Sequence, residues 1–232
     1  MKFSVIIPAY NEKERIVIAV KSILVQNVGR RNFEIIVADN NSTDGTARTA
    51  REAGADKIVL EPEQGTNMAR NAGYKISKGE IVVFMDADCV APSDWLSRIG
   101  RLLENPSVAM VSGPYDYSFT GVQAFLDKIW TGAIFPKMPA LLEFLFGKKA
   151  GIIIEGNFAA PRATIEAIGG IPLIKFWGDG PAMAIPASRK VGRVLFDPTL
   201  KIKSSPRRLG KINFFTTTLK YAWVYLKTYF TI

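Results

Sequence analysis

Short apolar runs alternate with segments of helical periodicity along the first half of the chain. Residues 3–8 and 33–38 are rich in β-branched side chains, which is typical of buried strands. Between them, apolar residues of the segment 12–26 recur every three or four positions, and this spacing predicts a helix. A strand, a helix and a second strand form the unit from which parallel sheets are built.

The same alternation continues to about residue 112. Further strands are predicted over 57–60, 80–85 and 108–112, and further helices over about 42–53, 65–76 and 95–103. Ser42 or Thr43 is expected to cap the first of these helices. We therefore predict an α/β fold, Rossmann-like, with a mostly parallel central sheet and helices on both faces. Ligands of such sheets bind at the carboxyl ends of the strands.

The pattern changes character after residue 112. Residues 123–146 are rich in aromatic and aliphatic side chains, and they form either a buried cover, an acceptor lid or a membrane-facing flap. Residues 152–160, a helix over 162–168 and residues 194–197 are expected to complete the sheet. With no repeats and no low-complexity linker, we expect one domain over 1–204.

Residues 205–232 consist of a basic segment and a predicted amphipathic helix. The apolar stripe of the helix contains Ile212, Phe215, Leu219, Ala222, Trp223, Leu226, Tyr229 and Phe230. The nearby basic residues are Lys201, Lys203, Arg207, Arg208 and Lys211. A basic, aromatic helix of this kind suits the interface of an anionic membrane. Packing on its own domain or on a dimer partner is the alternative.

The composition excludes several kinds of chemistry. The 232 residues include no histidine and one cysteine, Cys89, which rules out an internal disulfide and histidine-based catalysis. A total of 30 Lys and Arg against 21 Asp and Glu favours an anionic partner: nucleic acid, an acidic membrane or a phosphorylated ligand. No signal-peptide pattern opens the chain, and apolar runs break before about 18 residues. We therefore expect a cytoplasmic protein without a transmembrane helix, in peripheral contact with the cytoplasmic face of the membrane.

Two carboxylates follow the strand predicted over 80–85. Asp86 and Asp88 flank Ala87 at the carboxyl end of this strand, where ligands are expected. Mg²⁺ and Mn²⁺ prefer hard oxygen ligands and commonly take one or two carboxylates together with substrate phosphates. The triplet predicts a site for such a cation and a phosphorylated ligand, with an ordinary Asp-rich turn as the alternative.

Asp39 ends the second predicted strand. Its carboxylate can accept a hydrogen bond from an N–H of uracil or guanine, and a helix-capping turn is the alternative for this segment. Gly65 would let a ligand approach the backbone, and Arg70 and Asn71 could reach a ribose or phosphates. The chain has neither the Gly-rich dinucleotide turn nor the phosphate-binding P-loop.

Four stretches together resemble the family 2 glycosyltransferases of GT-A fold. They are residues 4–12, 39–46, 65–73 and the triplet 86–88, in this order and spacing. The resemblance implies an inverting transfer from a UDP- or GDP-sugar that depends on Mn²⁺ or Mg²⁺. It places Asp39 at the nucleobase of the donor, and it places Asp86 and Asp88 at the ribose and the metal. It also divides residues 1–204 into a nucleotide half to about 112 and an acceptor half from about 113.

The expected substrate-binding residues surround the same strand ends. They are Pro8, Tyr10, Glu12, Asp39, Asn41, Gly65, Asn67, Arg70, Asp86, Ala87 and Asn157. Arg207 or Arg208 is expected to add positive charge over the diphosphate.

Asp179 is the expected catalytic base. The stretch 155–159, Arg162 and the pair Gly169-Gly170 look like the acceptor-side strand and helix of the family, and Asp179 is the next carboxylate. Family members usually carry a Glu-Asp pair here, whose Asp takes the proton of the acceptor hydroxyl. In this chain the first member is Gly178, which puts the acceptor geometry in doubt. A helix cap is the alternative role for Asp179.

These features predict a glycosyltransferase that acts on a glycan or lipid-linked acceptor. Because the Gln-x-x-Arg-Trp signature of processive synthases is absent, single addition is favoured. A sugar nucleotidyltransferase is the nearest alternative, but it would carry a Gly-rich basic loop after the first strand. A catalytically silent GT-A-like binding protein is the other alternative, in which Gly178 would reflect a lost acceptor site. Nucleic-acid binding has only the net charge in its favour and is not expected.

Overall fold

The computed structural model describes residues 2–118, 120–121, 128–174, 178–205 and 214–232. The strands are β1 (Phe3–Ala9), β2 (Phe33–Asp39), β3 (Lys57–Leu60), β4 (Ile81–Met85), β5 (Cys89–Val90), β6 (Val108–Ser112), β7 (Tyr115–Asp116), β8 (Asn157–Pro161), β9 (Arg193–Phe196) and β10 (Ile202–Ser204). The α-helices are α1 (Lys13–Leu24), α2 (Thr46–Glu52), α3 (Thr66–Ile76), α4 (Trp95–Leu103), α5 (Met138–Phe146), α6 (Arg162–Ala167), α7 (Asp179–Lys190) and α8 (Phe214–Thr231). Shorter helical turns are Arg30–Asn32, Trp130–Ile134 and Phe135–Lys137.

The central sheet has seven strands in the order β3-β2-β1-β4-β8-β6-β9. Neighbouring strands are parallel except at β8, which runs antiparallel to both β4 and β6. The predicted mostly parallel sheet is confirmed. Strand β8 begins at Asn157, five residues later than the predicted segment 152–160. A second, three-stranded sheet has the order β5-β10-β7.

Strand β1 lies at the centre of the core and is buried along its whole length. Alternate side chains of a strand point to opposite faces of the sheet. Val5 and Ile7 accordingly join the apolar cluster that includes residues of α1 and α4, whereas Ile6 joins the cluster on the other face. Helix α3 packs closely on that second face at Gly73, where an added Cβ would lie 2.5 Å from Cγ2 of Ile6. This close approach sets the position of α3 relative to the strand ends.

The predicted cover region 123–146 is described from residue 128 onward. Its helical segment ends in α5, and Phe135 and Leu142 are buried in a cluster with Ile152 and Ile185. Phe144, by contrast, is 85% exposed. The region therefore covers part of the core and also presents an apolar surface to the outside.

Helix α8 packs against α7 through two buried tyrosines. The hydroxyl of Tyr225 donates to the carbonyl oxygen of Gly151 at 2.7 Å. The hydroxyl of Tyr229 lies 3.2 Å from the carbonyl oxygen of Leu142 and 2.7 Å from that of Lys148. Burying a tyrosine requires a partner for its hydroxyl, and these carbonyl groups supply it. Packing of the helix on its own domain, one of the predicted alternatives, is thus present in the structure.

The predicted apolar stripe of α8 is divided between the two sides of the helix. Tyr229 is buried together with Tyr225, which was outside the predicted stripe, whereas the stripe residues Trp223 and Phe230 are 69% and 52% exposed. The stripe residues Phe215 and Leu219 and the basic residues 207, 208 and 211 lie outside the described side chains. None of the described helices has the length and hydropathy that a bilayer span requires.

An ionic cluster fastens the amino ends of the strands. Glu34 is buried, with Nζ of Lys57 at 2.7 Å from Oε2, while Oγ of Ser4 and the backbone N of Lys78 each donate to Oε1 at 2.6 Å. Burial raises the pKa of Glu34, but the hydrogen bonds from Lys57, Ser4 and Lys78 outweigh it, so the pKa lies below its ordinary value. The carboxylate joins β1, β2, β3 and the loop after α3.

We expect Glu34→Gln to lower the stability at neutral pH and to weaken its acid dependence. Because the folded-state pKa is depressed, the stabilisation is present above the unfolded pKa of about 4.3 and is lost as the pH falls through the folded-state value. Urea unfolding midpoints of the two proteins should therefore converge between about pH 7 and about pH 3. The exposed Glu104→Gln is the matched control. A difference that stays constant over this range would contradict the assignment.

Candidate active site

Three strand ends place the predicted residues at one edge of the sheet. Asp39 is the last residue of β2 and pairs with Ala9 at the end of β1. Strand β4, on the other side of β1, ends at Met85 and leads directly into Asp86 and Asp88. Adjacent strands lie about 4.8 Å apart, so the ends of β2 and β4 are separated by about 10 Å. The carboxylates that were predicted to share a ligand therefore open onto the same edge.

The loops after β1 and β2 are clamped to each other. The backbone N of Asn11 donates to Oγ of Ser42, and the backbone N of Thr43 donates to Oδ1 of Asn11, both at 2.9 Å. Asn11 and Asn41 adopt left-handed backbone conformations, with φ of 52° and 64°, which asparagine tolerates better than most residues. The clamp holds the loop that carries Tyr10 beside the end of β2.

The predicted cap of α2 by Ser42 or Thr43 is wrong, because both residues lie at least three positions before the helix and Oγ of Ser42 is engaged in this clamp. The helix begins later, at Thr46, after Gly45 with φ of 87°. Its first turn is closed by Asp44, whose Oδ1 accepts from the backbone N of Thr46 at 2.9 Å and from its Oγ1 at 2.5 Å.

Asp39 has an unsatisfied oxygen in a buried position. The residue is 3% exposed, and its Oδ1 has no hydrogen-bond partner within the described part of the chain. Beside it, Asn40 donates to the carbonyl oxygens of Glu61 at 3.0 Å and Glu63 at 2.7 Å and accepts from the backbone N of Gly65 at 2.8 Å. Asn40 thus fixes the loop that leads into α3, a role that sequence reasoning missed although the residue adjoins Asp39.

Arg70 links the two halves of the site. The side chain is 3% exposed, and its Nη1 donates to Oδ2 of Asp179 and, at 3.1 Å, to Oδ1 of Asn67. Nη2 donates to Oδ1 of Asp86 at 3.3 Å. The neighbouring carboxylates of Asp179 and Asp86 raise the pKa of Arg70 although burial lowers it. The structure therefore places Arg70 between two carboxylates, whereas the sequence suggested an arm that reaches a ribose or phosphates.

The Asp86-Ala87-Asp88 triplet offers hard oxygen ligands. Asp86 is 24% exposed, and Oη of Tyr115 donates to its Oδ2 at 2.8 Å. Burial and the Asp86 carboxylate raise the pKa of Tyr115 well above its ordinary value, which keeps the phenol a neutral donor. Asp88 is partly exposed, while Ala87 is buried.

The described residues include no group of three or more acidic, cysteine or histidine side chains that could hold a metal alone. A hard cation beside Asp86 and Asp88 would complete its shell with phosphate and water oxygens, as Mg²⁺ commonly does in nucleotide sites. The donor set therefore fits Mg²⁺ or Mn²⁺ together with a diphosphate.

Asp179 is the first residue of α7 and faces inward. Its carboxylate accepts from Arg70, so it is engaged in the ionic network rather than in capping the helix. Gly178 precedes it with φ of 100°, and an added Cβ there would lie 2.8 Å from Cγ1 of Val224 in α8. The departure from the family pattern at position 178 thus has a structural reason, which is the close packing of α8.

Glu155 is a site residue that sequence reasoning missed. Its Oε1 accepts from the backbone N of Gly180, the residue after Asp179, at 3.1 Å. Burial and the adjacent Asp179 carboxylate raise the pKa of Glu155 to about 8. The sequence placed Glu155 in the stretch 155–159 without giving it a role, because Asp179 lies 24 positions away along the chain and only the fold brings the two residues together.

Asn157 was predicted to contact the substrate, but its side-chain amide is hydrogen-bonded to protein groups. Its Nδ2 donates to the carbonyl oxygens of Gly113, Pro114 and Leu200 at 2.7 to 3.2 Å, and its Oδ1 accepts from Nε1 of Trp95 at 3.2 Å. With its amide engaged in this way and 1% exposure, the residue ties β8 to the loop before β7.

The other predicted residues lie along the same edge. Pro8 is buried in β1, Tyr10 is half-exposed, and Glu12 is buried with Nη1 of Arg15 at 3.4 Å. Asn41 lies in the loop after β2, and Gly65 immediately precedes α3. Asn67 lies in the first turn of α3, and its Nδ2 donates to the carbonyl oxygen of Ile174 at 3.0 Å.

Comparison with known sequences places this site in a family context. The chain is 36% identical over 121 residues to the glycosyltransferase AglE of Haloferax volcanii. The aligned region covers 50% of this chain and 40% of that protein. The chain is 35% identical over 197 residues to an uncharacterized glycosyltransferase of Nostoc, which covers 78% of this chain and 58% of the relative. The chain thus spans roughly half the length of these relatives.

Solved structures share the fold. A mannosyltransferase from Pyrobaculum calidifontis in complex with GDP-Man and Mn²⁺ has a TM-score of 0.68 and 25% identity, over 88% of this chain and 56% of that chain. Glucosyl-3-phosphoglycerate synthase from Mycobacterium tuberculosis has a TM-score of 0.66 and 21% identity, over 98% of this chain and 78% of that chain. The predicted GT-A fold is confirmed.

The family model described as Glycosyl transferase family 2 matches residues 4–168, which include the ends of β1, β2 and β4 and the Asp86-Ala87-Asp88 triplet. This chain therefore belongs to glycosyl transferase family 2.

Proposed function

We propose that the protein transfers a sugar from a UDP- or GDP-sugar to an acceptor hydroxyl, with inversion at the anomeric carbon. The observation that carries the proposal is the buried Oδ1 of Asp39, which lacks a partner within the described residues and lies at the same edge as Asp86 and Asp88. A buried carboxylate oxygen without a hydrogen bond is costly, so a ligand N–H is the natural partner. Both uracil and guanine present such an N–H.

The diphosphate of the donor would lie beside the carboxylates after β4. Asp86 and Asp88 would hold Mn²⁺ or Mg²⁺, and Asp86 would also contact the ribose of the donor. When bound, the cation neutralises the negative charge that develops on the departing diphosphate. Complexes of structural neighbours with Mn²⁺ and GDP-Man or UDP support this donor class.

Asp179 would act as the general base. In the reaction, the bond between the anomeric carbon and the diphosphate oxygen breaks, and its electron pair leaves with the diphosphate. The acceptor oxygen forms the new bond from the opposite face, and its proton moves to Asp179. Arg70 contacts both Asp179 and Asp86, so it fixes the base relative to the diphosphate side of the site. A single displacement of this kind needs no covalent intermediate.

The competing functions make different demands on this edge. A sugar nucleotidyltransferase would need a Gly-rich basic loop after β1, and residues 8–12 provide none. A silent binding protein would keep the Asp39 contact and the Arg70–Asp179 ion pair, but it would not hydrolyse the donor. The acceptor class that we propose is a glycan or a lipid-linked hydroxyl, to which one sugar is added.

The exposed apolar surface supports a peripheral membrane contact, which we propose as the location of the acceptor. Helices α5 and α8 present Leu141, Phe144, Leu145, Phe146, Trp223 and Phe230 to the outside. The rings of Phe146 and Phe230 are 5.0 Å apart, so the two helices form one surface. We call it the α5–α8 surface.

The charge around the α5–α8 surface fits anionic lipid. Residues 128–149 and 220–232 contain one acidic residue, Glu143, and the lysines 128, 137, 148, 149, 220 and 227. Each lysine near an anionic bilayer contributes about 1 kcal/mol of attraction, and inserted aromatic rings add the hydrophobic part.

Two variants should separate donor binding from chemistry. We expect Asp39→Asn to abolish the thermal stabilisation that UDP or GDP with Mn²⁺ gives the native state, because a ligand that binds the folded protein raises its stability. We expect Asp179→Asn to keep this stabilisation but to lower donor hydrolysis, measured as nucleotide release, by about 100-fold or more, as for loss of a general base.

The exposed Glu104→Gln serves as the control for both carboxyl-to-amide changes. The donor assignment would be removed if neither UDP nor GDP stabilised the wild-type protein. Unchanged hydrolysis in Asp179→Asn would remove the assignment of the base.

The membrane contact is tested by sedimentation with phosphatidylcholine vesicles, with and without phosphatidylglycerol. We expect binding only to the anionic vesicles and a loss of about tenfold or more in the double variant Phe144→Ser/Trp223→Ser, because its aromatic anchors are removed. Leu60→Ser, at an exposed apolar position of β3, is the matched control. Self-association that depends on the α5–α8 surface, without vesicle binding, would identify it as a protein interface instead.

A further inference from the structure

Glu155 reaches the proposed base from a different part of the chain. It lies in the turn before β8, which is closed by a hydrogen bond from the backbone N of Asn157 to the carbonyl oxygen of Ile154 at 2.9 Å. From there its side chain extends to the amino end of α7, where its Oε1 accepts from the backbone N of Gly180, the residue after Asp179. The carboxyl groups of Glu155 and Asp179 therefore lie at the same helix end, and the Asp179 carboxylate is one cause of the raised pKa of Glu155.

Two glycines provide the space for this pair. An added Cβ at Gly180 would lie 3.1 Å from both Cγ and Oε1 of Glu155 and 3.3 Å from the hydroxyl of Tyr221. At Gly178, an added Cβ would meet Val224 at 2.8 Å, and φ of 100° is strained for other residues. With α8 in this position, a glutamate at 178 would not fit, and the space beside Asp179 is filled by Glu155.

We propose that Glu155 is the positioning residue of the base and supplies, from the turn before β8, the acidic neighbour of Asp179 that position 178 lacks. The inference rests on the proposed function, because it assigns a partner to the proposed base. It also gives Gly178 a meaning other than loss of activity.

The surroundings favour a neutral Glu155 that donates to Asp179. The groups that face it are Arg70 from α3, Asp179 from α7 and Tyr221 from α8. Arg70 is already shared by Asp179 and Asp86, so it cannot compensate a third carboxylate fully. The raised pKa of Glu155, about 8, agrees with this charge balance. A carboxylic acid in such a place can orient its neighbour as a hydrogen-bond donor.

The proton balance of the transfer is unaffected by this role. The acceptor hydroxyl gives its proton to Asp179, while Glu155 keeps its own proton and the hydrogen bond that orients the base. After the product leaves, Asp179 returns the proton to water. Glu155 therefore acts on the rate of the chemical step through the position of Asp179, and it is not needed for donor binding.

The test compares Glu155→Ala, Glu155→Gln and the exposed control Glu166→Ala in donor hydrolysis with Mn²⁺, using GDP-mannose and UDP-glucose as probes. We expect Glu155→Ala to lower kcat by about tenfold or more, as misplacement of a reacting group does, with the donor KM within about twofold of the wild type. Glu155→Gln keeps a donor to Asp179 and should recover part of this loss. Nucleotide-induced thermal shifts of all variants check that each one folds and binds.

Three results would overturn the inference. One is a kcat of Glu155→Ala equal to that of Glu166→Ala. The second is a raised KM at unchanged kcat, which would make Glu155 a donor contact. The third is a loss in Glu155→Gln as deep as in Asp179→Asn, which would make Glu155 the base itself. Absence of hydrolysis in the wild-type protein would instead defeat the proposed function, and the inference would fall with it.

Discussion

The buried guanidinium of Arg70 is the constraint on which the arrangement of the site depends. A cation with 3% exposure is tolerable only when carboxylates surround it, and Asp179 and Asp86 do so from two different elements. Arg70 itself is held on α3, which approaches β1 closely because residue 73 is a glycine. The distance between Asp179, the proposed base, and Asp86 thus follows from helix packing on the sheet.

The two ends of the sheet show how similar side chains serve different purposes. At the amino ends, every oxygen of Glu34 meets a protein donor, so the carboxylate is consumed in holding strands together. At the carboxyl ends, Asp39 is equally buried, yet one oxygen has no donor in the described chain. The two carboxylates differ in their hydrogen bonds and not in their burial, and this difference is the basis for proposing a ligand contact for Asp39 and a structural role for Glu34.

Local patterns predicted the fold and the strand-end residues well, because apolar alternation and the position of polar residues after strands are short-range signals. Asp39, Asp86 and Asp88 were placed at strand ends in this way. The roles of Glu155 and Asn40 were not predicted, since their partners lie across loops or in distant segments. The side chain of Asn157 was assigned to the substrate because its three carbonyl partners come from elsewhere in the chain. The stripe predicted for α8 omitted Tyr225, which is buried with its hydroxyl bonded to the carbonyl oxygen of Gly151, a contact that periodicity does not show.

Helix α8 contributes both to the α5–α8 surface and to the surroundings of Asp179, the proposed base. Its inner face places Val224 against Gly178 and Tyr221 beside Gly180 and Glu155, while its outer face carries Trp223 and Phe230. Val224 and Trp223 are consecutive residues, so one helix sets both the room available next to Asp179 and the surface presented to the surroundings. The glycine at 178 and the aromatic surface of α8 therefore both follow from the same helix packing. Once α8 lies this close to α7, position 178 must be small, and an acidic neighbour of Asp179 has to come from another part of the chain.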